Sequence, residues 1–198
     1  MHEDDELMLR IQSGETDAYE TLVQKYQPQL IGFFFRNIRD SQMAEDLSQD
    51  TMLRIYDQSW DYLPRGKFRG WMYRIARNLM IDSIRRQSRD ALVHAAKGKK
   101  EDEDDGLARI RDEILSPQDQ AHQQELTLLV DNLLQEIPEG QRLTFTLHHY
   151  SQLSLPEVAE IMESTLPTTK SRLRLAREKL QEKLKERGIV SPHADAGD

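Results

Sequence analysis

The sequence predicts an all-α protein made of two small helical domains that are joined by an acidic, flexible linker. Glycine and proline are sparse, with 9 and 7 residues in a chain of 198, and strongly alternating, strand-like segments are absent. Apolar residues instead recur at spacings of three and four, the period of an amphipathic helix. The stretch 88–124 differs, because it contains the run KGKKEDEDDG and few large apolar residues. We therefore predict domains at 1–87 and 125–187, a linker at 88–124 and a disordered tail at 188–198.

The composition argues against several classes of protein. No run of 18 apolar residues is present, and the N-terminal sequence MHEDDELM is acidic where a signal peptide would be basic. These features predict a cytoplasmic protein without membrane insertion. The absence of cysteine removes disulfides, thiolate zinc sites and cysteine nucleophiles together. No cofactor is expected, and an enzyme is disfavoured because HExxH, P-loop and GxSxG motifs are absent; the neighbouring His148 and His149 are expected to flank a helix.

Charge is unevenly distributed along this chain, whose formal net charge is −8. Residues 65–89 contain 8 basic residues and 1 acidic residue, and residues 165–187 contain 8 basic and 3 acidic residues. The segments 1–64 and 90–164 are strongly acidic. Because phosphate contacts need local lysine and arginine whatever the total charge, the two basic islands indicate two sites for a polyanion. For either island alone, a solvated helix face is the alternative interpretation.

The segment AEDLSQDTMLRIY is acidic and predicts a helix with one buried side. Its inward residues are Met43, Leu47, Met52 and Ile55. Its polar face offers acceptors for arginine or lysine across an interface. These acceptors are Glu45, Asp46, Gln49 and Asp50. Such a surface does not favour DNA, so a basic protein is the predicted partner, and a solvated acidic face is the alternative.

The first basic island contains FRGWMYRIARNLMIDSIRR, which fits a long helix with a core stripe at 100° per residue. The stripe consists of Phe68, Met72, Ile75, Ala76 and Leu79. A neighbouring sector, which we call the strip, consists of Trp71, Arg74, Asn78, Asp82 and Arg85. Arginine neutralises phosphate, tryptophan stacks on an unpaired base, and asparagine presents a donor and an acceptor to a base edge. Together with the turn-prone loop before it, which supplies Lys67 and Arg69, the strip predicts a nucleic-acid surface. Taken singly, Trp71 would be a half-buried edge residue and Asn78 with Asp82 a local polar pair.

The second basic island has the spacing of a helix-turn-helix motif. The first helix is predicted at Leu155–Met162, the turn at Glu163–Thr165, and the second helix opens at Leu166–Thr168. Either threonine, Thr165 or Thr168, can start or reinforce its first turn. The inward residues of the first helix are Val158, Ala159 and Met162. In this motif the second helix enters the major groove, and its N-terminal residues meet base edges while others grip phosphate. The candidate contacts are Thr168, Thr169, Lys170, Ser171, Arg172, Arg174 and Arg177. An ordinary basic helical hairpin is the alternative.

Four segments in this order give the chain a resemblance to the extracytoplasmic-function (ECF) sigma factors of bacterial RNA polymerase, over about Asp4 to Glu186. They are GETDAYETLVQKYQPQL, AEDLSQDTMLRIY, FRGWMYRIARNLMIDSIRR and LSLPEVAEIMESTLPTTKSRLRLAREKL. The resemblance implies that 1–87 is region 2, which reads and helps to open the minus-ten element. It implies that 125–187 is region 4, which binds the minus-thirty-five element. The implied partners are core RNA polymerase and promoter DNA, and the family is often held inactive by an anti-sigma factor.

The resemblance also assigns roles to single residues. Asn78 matches the position that engages an extruded base of the non-template strand, with Asp82 one turn further on. The loop Tyr62–Phe68 matches the family's variable specificity loop. Backbone phosphate or strand guidance is assigned to Arg74, Arg77 and Arg85. The acidic helix matches region 2.2, which docks on the clamp helices of the polymerase β′ subunit, and the β flap is the expected polymerase contact besides them.

The chain departs from the family pattern at four positions. Asp50 stands where glutamate is common, Pro167 where glycine is usual, Thr169 where an apolar residue is usual, and Leu175 where a basic residue is common. The helix-turn-helix assignment is therefore firmer than any base-by-base reading of a promoter. The second domain alone would also suit a conventional helix-turn-helix activator or repressor. A conventional regulator of this kind has no evident use for the acidic helix and the strip. Their presence therefore favours the sigma factor.

Overall fold

The structure is a computed structural model, and it describes residues 2–95 and 128–189. Every regular element in these ranges is helical, which confirms the predicted all-α class. The chain divides into two compact units, and each is described by itself. The acidic run EDEDD and most of the predicted tail lie outside the described residues, so the boundaries of the linker and tail stay predictions. Among the described helices, none is long and apolar enough to cross a membrane.

Ten helical elements and turns follow one another along the described residues, and the last helix ends at Glu186. The first group comprises α1 (Glu3–Gln12), α2 (Thr16–Ile38), α3 (Ser41–Asp57), a 3₁₀ turn (Ser59–Asp61) and α4 (Phe68–Ala95). The second group comprises α5 (residues 128–135), α6 (Glu139–Phe145), a π-helical turn (Thr146–Tyr150), α7 (Leu155–Ile161) and α8 (Leu166–Glu186).

In the first unit, α2 packs against α1 and α3, and α3 packs against α4. The largest fully buried side chains of this unit are aromatic; the Phe33 and Tyr73 rings, for example, meet edge to face with centroids 5.4 Å apart. The α2–α3 connection is short because Arg39 adopts a left-handed φ of 65°, which reverses the chain direction. Asp40 then caps α3 by accepting a hydrogen bond from the Met43 backbone N at 2.9 Å. These local signals orient α3 with its acidic face away from the core.

Helix α4 continues beyond residue 87, where the sequence predicted that the first domain ends, and reaches Ala95. The segment 88–95 contains neither glycine nor proline, so nothing in it terminates the helix. The long helix holds the basic residues from Arg69 to Arg89 on one rigid element, and Arg65 and Lys67 of the island precede it in the loop.

In the second group, α6 packs against α8. A buried core cluster joins Leu133 and Leu134 of α5 and Ile137 of the following turn to Ala176 and Leu180 of α8. Helix α8 begins with Thr165 as its N-cap, whose Oγ1 accepts a hydrogen bond from the Thr168 backbone N at 3.3 Å. Pro167 lies in the first turn, where a missing N–H costs nothing. The cap is therefore Thr165, one of the two threonines that the sequence predicted could start this helix.

Candidate nucleic-acid interface

The strip on α4 forms an exposed ridge. All five predicted core residues of this helix, Phe68, Met72, Ile75, Ala76 and Leu79, are buried, which confirms the predicted stripe. Four strip residues, Arg74, Asn78, Asp82 and Arg85, are exposed. They recur every three or four residues and so line one side of a rigid helix. The arrangement presents two guanidinium groups, an amide and a carboxylate at fixed intervals, which suits a nucleic-acid strand.

Trp71 begins the strip and is half-buried. Its ring lies against Tyr62, with centroids 5.1 Å apart, and near Phe68 at 6.1 Å. Tyr62 and Phe68 also meet edge to face at 5.9 Å. This three-ring cluster fixes the orientation of the indole while leaving part of it accessible, which is what a stacking platform requires.

The other basic residues assigned to this surface differ in position. Lys67 is exposed, whereas Arg69 is half-buried. Burial and the hydrogen bond to Asp4 raise the pKa of Tyr26, and the positive charge of Arg69 opposes that rise. Arg77 is half-buried, and its Nη1 donates to Asn78 Oδ1 at 3.3 Å, which orients the amide before any ligand arrives.

Helix α3 carries the predicted acidic face. The predicted inward residues Met43, Leu47, Met52 and Ile55 are all buried. The predicted acceptors Glu45, Asp46, Gln49 and Asp50 are all exposed. Sequence reasoning missed that the same helix and the turn after it also expose large apolar groups, with Leu53, Tyr56 and Trp60 at 58%, 47% and 74%. A helix face that combines carboxylates with exposed apolar groups is typical of protein interfaces rather than of DNA surfaces.

The helix-turn-helix prediction describes α7 and α8 well. Val158, Ala159 and Met162 are buried, as predicted. Thr168, Lys170, Ser171, Arg174 and Arg177 are exposed, and Arg172 is half-buried. The prediction that Thr169 contacts DNA is wrong: its side chain is fully buried, and its Oγ1 donates to the Thr165 carbonyl at 3.0 Å. The usual apolar residue at this position was the signal that could have excluded it.

Two arginines of α8 have protein neighbours. Arg174 Nη1 forms an ion pair with Glu178 one turn further on, at 2.6 Å. Arg177 donates from Nε and Nη2 to His149 Nε2 at 3.2 and 3.1 Å. Burial lowers the pKa of His149, and the positive charge of Arg177 together with His148 lowers that pKa further, so the imidazole is neutral at neutral pH and accepts from Arg177. His148 and His149 lie in the π-helical turn after α6, as a flanking role predicted.

The described residues give no sign of a metal centre. Across 2–95 and 128–189, no cluster of three or more histidine, aspartate or glutamate side chains is arranged to hold an ion. The side chains of the strip can neutralise phosphate through arginine, stack a base on Trp71 and hydrogen-bond through Asn78.

Comparison with known proteins agrees with this geometry. Residues 22–90 match the family model for Sigma-70 region 2, and residues 127–180 match the model for Sigma-70, region 4. Together the two matches cover more than half of the chain. The strip and the acidic face lie within the first match, and α7 with most of α8 lies within the second.

Relatives align along nearly the whole chain. The RNA polymerase sigma-H factor of Pseudomonas aeruginosa is 29% identical over 185 residues, which cover 92% of this chain and 94% of that protein. The ECF RNA polymerase sigma factor SigW of Bacillus subtilis is 29% identical over 181 residues, which cover 89% of this chain and 94% of that protein.

Two solved structures share the fold. The sigma factor RpoE in complex with the anti-sigma factor NepR from Bartonella quintana gives a TM-score of 0.65 at 24% identity, covering 84% of this chain and 96% of that one. CnrH in complex with the cytosolic domain of CnrY gives a TM-score of 0.63 at 23% identity, covering 92% and 97%. The two regional matches, the full-length relatives and the shared helical fold agree with one another, and the chain belongs to the ECF sigma factors of RNA polymerase.

Proposed function

We propose that the chain directs core RNA polymerase to promoters by trapping melted minus-ten DNA with its first domain and reading minus-thirty-five duplex with its second. The observation that carries the proposal is the exposed strip on α4, where Arg74, Asn78 and Arg85 stand beside the supported ring of Trp71. Extruding a base from duplex costs a few kcal/mol. A surface that stacks the base, hydrogen-bonds its edge and neutralises the adjoining phosphates compensates for that cost and captures a transiently opened duplex without ATP.

The acidic face of α3 supports a second part of the proposal, docking on core polymerase. Carboxylates of Asp46 and Asp50 can pair with basic groups of a partner while the exposed Leu53 and Trp60 bury apolar area against it. The partner surface that we propose for this face is the β′ clamp helices, and the β flap is proposed as a second polymerase contact. By likeness to the two neighbouring structures, each solved with a second protein bound to it, an anti-sigma factor is a further proposed partner.

We assign residues 1–87 to region 2, 88–124 to the linker and 125–187 to region 4. The exposed Lys170, Ser171 and Arg174, together with Arg172, are the proposed contacts to minus-thirty-five DNA, because they lie in the first turns of α8. In this proposal Asn78 engages the extruded base, Asp82 lines the same pocket, and Arg77 guides the strand.

The test is binding of a promoter fragment whose minus-ten region is already melted, with and without core polymerase. The expected result is tight binding that requires both core and this chain. Asn78→Ala should weaken that binding by about 1–3 kcal/mol while core binding is unchanged. Gln87→Ala is the matched control, because Gln87 is exposed on the opposite side of the same helix. Tight binding to intact duplex without core would instead favour a conventional helix-turn-helix regulator.

A further inference from the structure

Side chains of helix α1 form hydrogen bonds to the segment 59–66, the loop that leads into α4. Asp5 is only 3% exposed, and its carboxylate accepts hydrogen bonds from two groups that come much later in the chain. Oδ1 accepts from the Tyr62 hydroxyl, and Oδ2 accepts from the Gly66 backbone N at 2.7 Å. Both oxygens of one buried carboxylate are thus committed to the two ends of the short segment 62–66.

The same helix holds the loop at a second place. Gln12 lies two turns after Asp5 on the same side of α1. Its Nε2 donates to the carbonyl oxygens of Ser59 at 2.6 Å and Tyr62 at 3.0 Å. Four groups of the loop, three of them in the backbone, are therefore bound by two side chains of α1.

The far end of the segment is closed by a glycine. Gly66 has a φ of +69°, in the left-handed region that favours glycine. A Cβ built there would lie 2.5 Å from Cδ2 of His2, so the ring of the residue that precedes α1 lies over this position. A side chain at residue 66 would strain the backbone and require the His2 ring to move.

Between the anchored Tyr62 and Gly66, the residues Leu63, Pro64 and Arg65 are exposed. Holding both ends removes most of the conformational freedom of this short tip in advance, and a preorganised tip pays less entropy when it binds a ligand. Tyr62 also packs against Trp71, with ring centroids 5.1 Å apart. A change at Asp5 is therefore transmitted both to the loop tip and, through Tyr62, to the ring at the head of the strip.

We propose that Asp5 and Gln12 are positioning residues for minus-ten recognition, and that α1 sets the conformation of the tip Leu63–Arg65 and of Trp71 that selects the extruded base. This inference rests on the proposed function of the strip. Helix α1 lies before residue 22, where the match to region 2 begins, so that match assigns it no role. In this scheme α1 touches no DNA and acts only through the loop.

Asp4, which precedes Asp5 in α1, provides a matched control for substitutions at Asp5. Asp4 on the same helix also accepts from one tyrosine hydroxyl and one nitrogen, Tyr26 at 2.6 Å and Lys25 Nζ at 2.7 Å. Those donors lie on α2, so Asp4→Asn loosens α1 without touching the loop. Asp5→Asn removes one of the two acceptors that hold the loop, and Tyr62→Phe removes only the hydroxyl while keeping the ring.

The experiment uses the full chain with core polymerase and four promoter fragments with a melted minus-ten region, which differ only in the base at the extruded position. The ratio of affinities for the best and worst base measures discrimination, and thermal unfolding measures stability. Asp5→Asn and Tyr62→Phe should each reduce discrimination by roughly fivefold, the effect of one lost hydrogen bond, with core binding retained. Asp4→Asn should lower the unfolding temperature while discrimination stays at the wild-type ratio.

The outcomes separate the two proposals. Unchanged discrimination in both Asp5→Asn and Tyr62→Phe overturns the positioning role. The role is also overturned if Asp4→Asn loses as much base discrimination as Asp5→Asn while the two variants lose the same stability. In either case, wild-type binding to the melted fragments leaves the proposed function intact. Failure of the wild-type chain to bind any melted fragment with core overturns the proposed function and the positioning role together.

Discussion

Thr168, Thr169 and Lys170 are consecutive residues of α8 whose side chains reach different surroundings. Thr168 and Lys170 are exposed, whereas Thr169 is fully buried. The Thr169 hydroxyl donates to the Thr165 carbonyl and lies 2.9 Å from the Ser164 hydroxyl. Each step along the helix turns the side chain by about 100°, so neighbouring residues can serve the turn and the proposed DNA-binding surface.

Thr169→Val should lower the free energy of unfolding and leave DNA affinity unchanged. The substitution keeps the shape of the side chain but removes the hydroxyl that binds the turn, which costs about 1 kcal/mol. Denaturant unfolding of the full chain measures the first effect, and binding to a minus-thirty-five duplex with core polymerase measures the second. Lys170→Ala is the converse control, expected to weaken DNA binding without changing stability. A weaker complex with Thr169→Val at unchanged stability would restore Thr169 to the DNA contacts.

The sequence predicted the surroundings of a residue well where they depend on helical periodicity, and poorly where they depend on contacts with distant parts of the chain. The core stripe of α4 follows from a period of 3.6 residues, and residues such as Met72 and Ala76 are buried accordingly. Thr169 was misassigned because a threonine has the polarity of a contact residue, and only the turn before it reveals its bonds. The contact between Asp5 and Tyr62 joins residues 57 positions apart, and no periodicity connects them.

At the scale of elements, α3 resembles a protein-binding helix more than its sequence alone indicated. The acidic residues Asp46 and Asp50 were predicted from their charge, but the exposure of Leu53 and Trp60 depends on which side of the helix α2 and α4 cover. Apolar groups supply affinity at such an interface, while the charges supply orientation and the rate of encounter.

Reversing two charges on α3 should abolish competition for core polymerase. In the double variant Asp46→Arg, Asp50→Arg, like charges meet across the proposed interface and cost several kcal/mol. The measurement is displacement of a labelled sigma factor from core by increasing amounts of the variant. The control is Glu6→Arg with Glu20→Arg, which makes the same change in net charge at exposed positions of α1 and α2. Full competition by the α3 variant would refute the docking assignment.

The contact between the π-helical turn and α8 should make stability depend on pH near neutrality. Burial, with Arg177 and His148, lowers the pKa of His149 below its usual value of 6.5. The unfolded chain therefore binds this proton more readily than the folded chain does. Its contribution to stability is complete above about pH 6.5 and is lost as the pH falls through the lowered pKa of the folded state.

The measurement is the midpoint of denaturant unfolding between about pH 7.5 and about pH 5.5, where few carboxylates titrate. The wild-type midpoint should decrease toward acid. His149→Gln should flatten this decrease, because glutamine keeps an acceptor for Arg177 but cannot bind the proton. An identical slope in the variant would show that other groups produce the pH dependence.

At the scale of the whole molecule, a chain with a net charge of −8 is expected to bind a polyanion. The Debye length is about 8 Å at physiological ionic strength, so exposed charges farther away than this are largely screened. The basic islands at 65–89 and 165–187 can therefore act locally while the acidic remainder discourages binding to arbitrary DNA. This division would make the free chain a poor DNA binder and would leave delivery to a promoter to core polymerase.

The salt dependence of promoter binding tests this local action directly. Each neutralised phosphate releases counterions, so log affinity falls with log salt by a slope of about 0.7–0.9 for every phosphate contacted. Arg85→Ala should reduce the slope of binding to a melted promoter fragment by nearly one such unit, since Arg85 is exposed on the strip. The contribution of core is the same in both measurements, so the difference isolates one side chain.

Arg54→Ala removes another exposed arginine, from α3 and outside both basic islands, and should leave the slope unchanged when core polymerase is saturating. If the acidic bulk of the chain acted through long-range repulsion instead, the two substitutions would alter affinity alike, because each changes the net charge by the same amount. Equal slopes for Arg85→Ala and the wild type would remove Arg85 from the phosphate contacts. A steeper slope for the wild type than for Arg85→Ala, with Arg54→Ala matching the wild type, requires that the strip contacts the DNA backbone as a local surface.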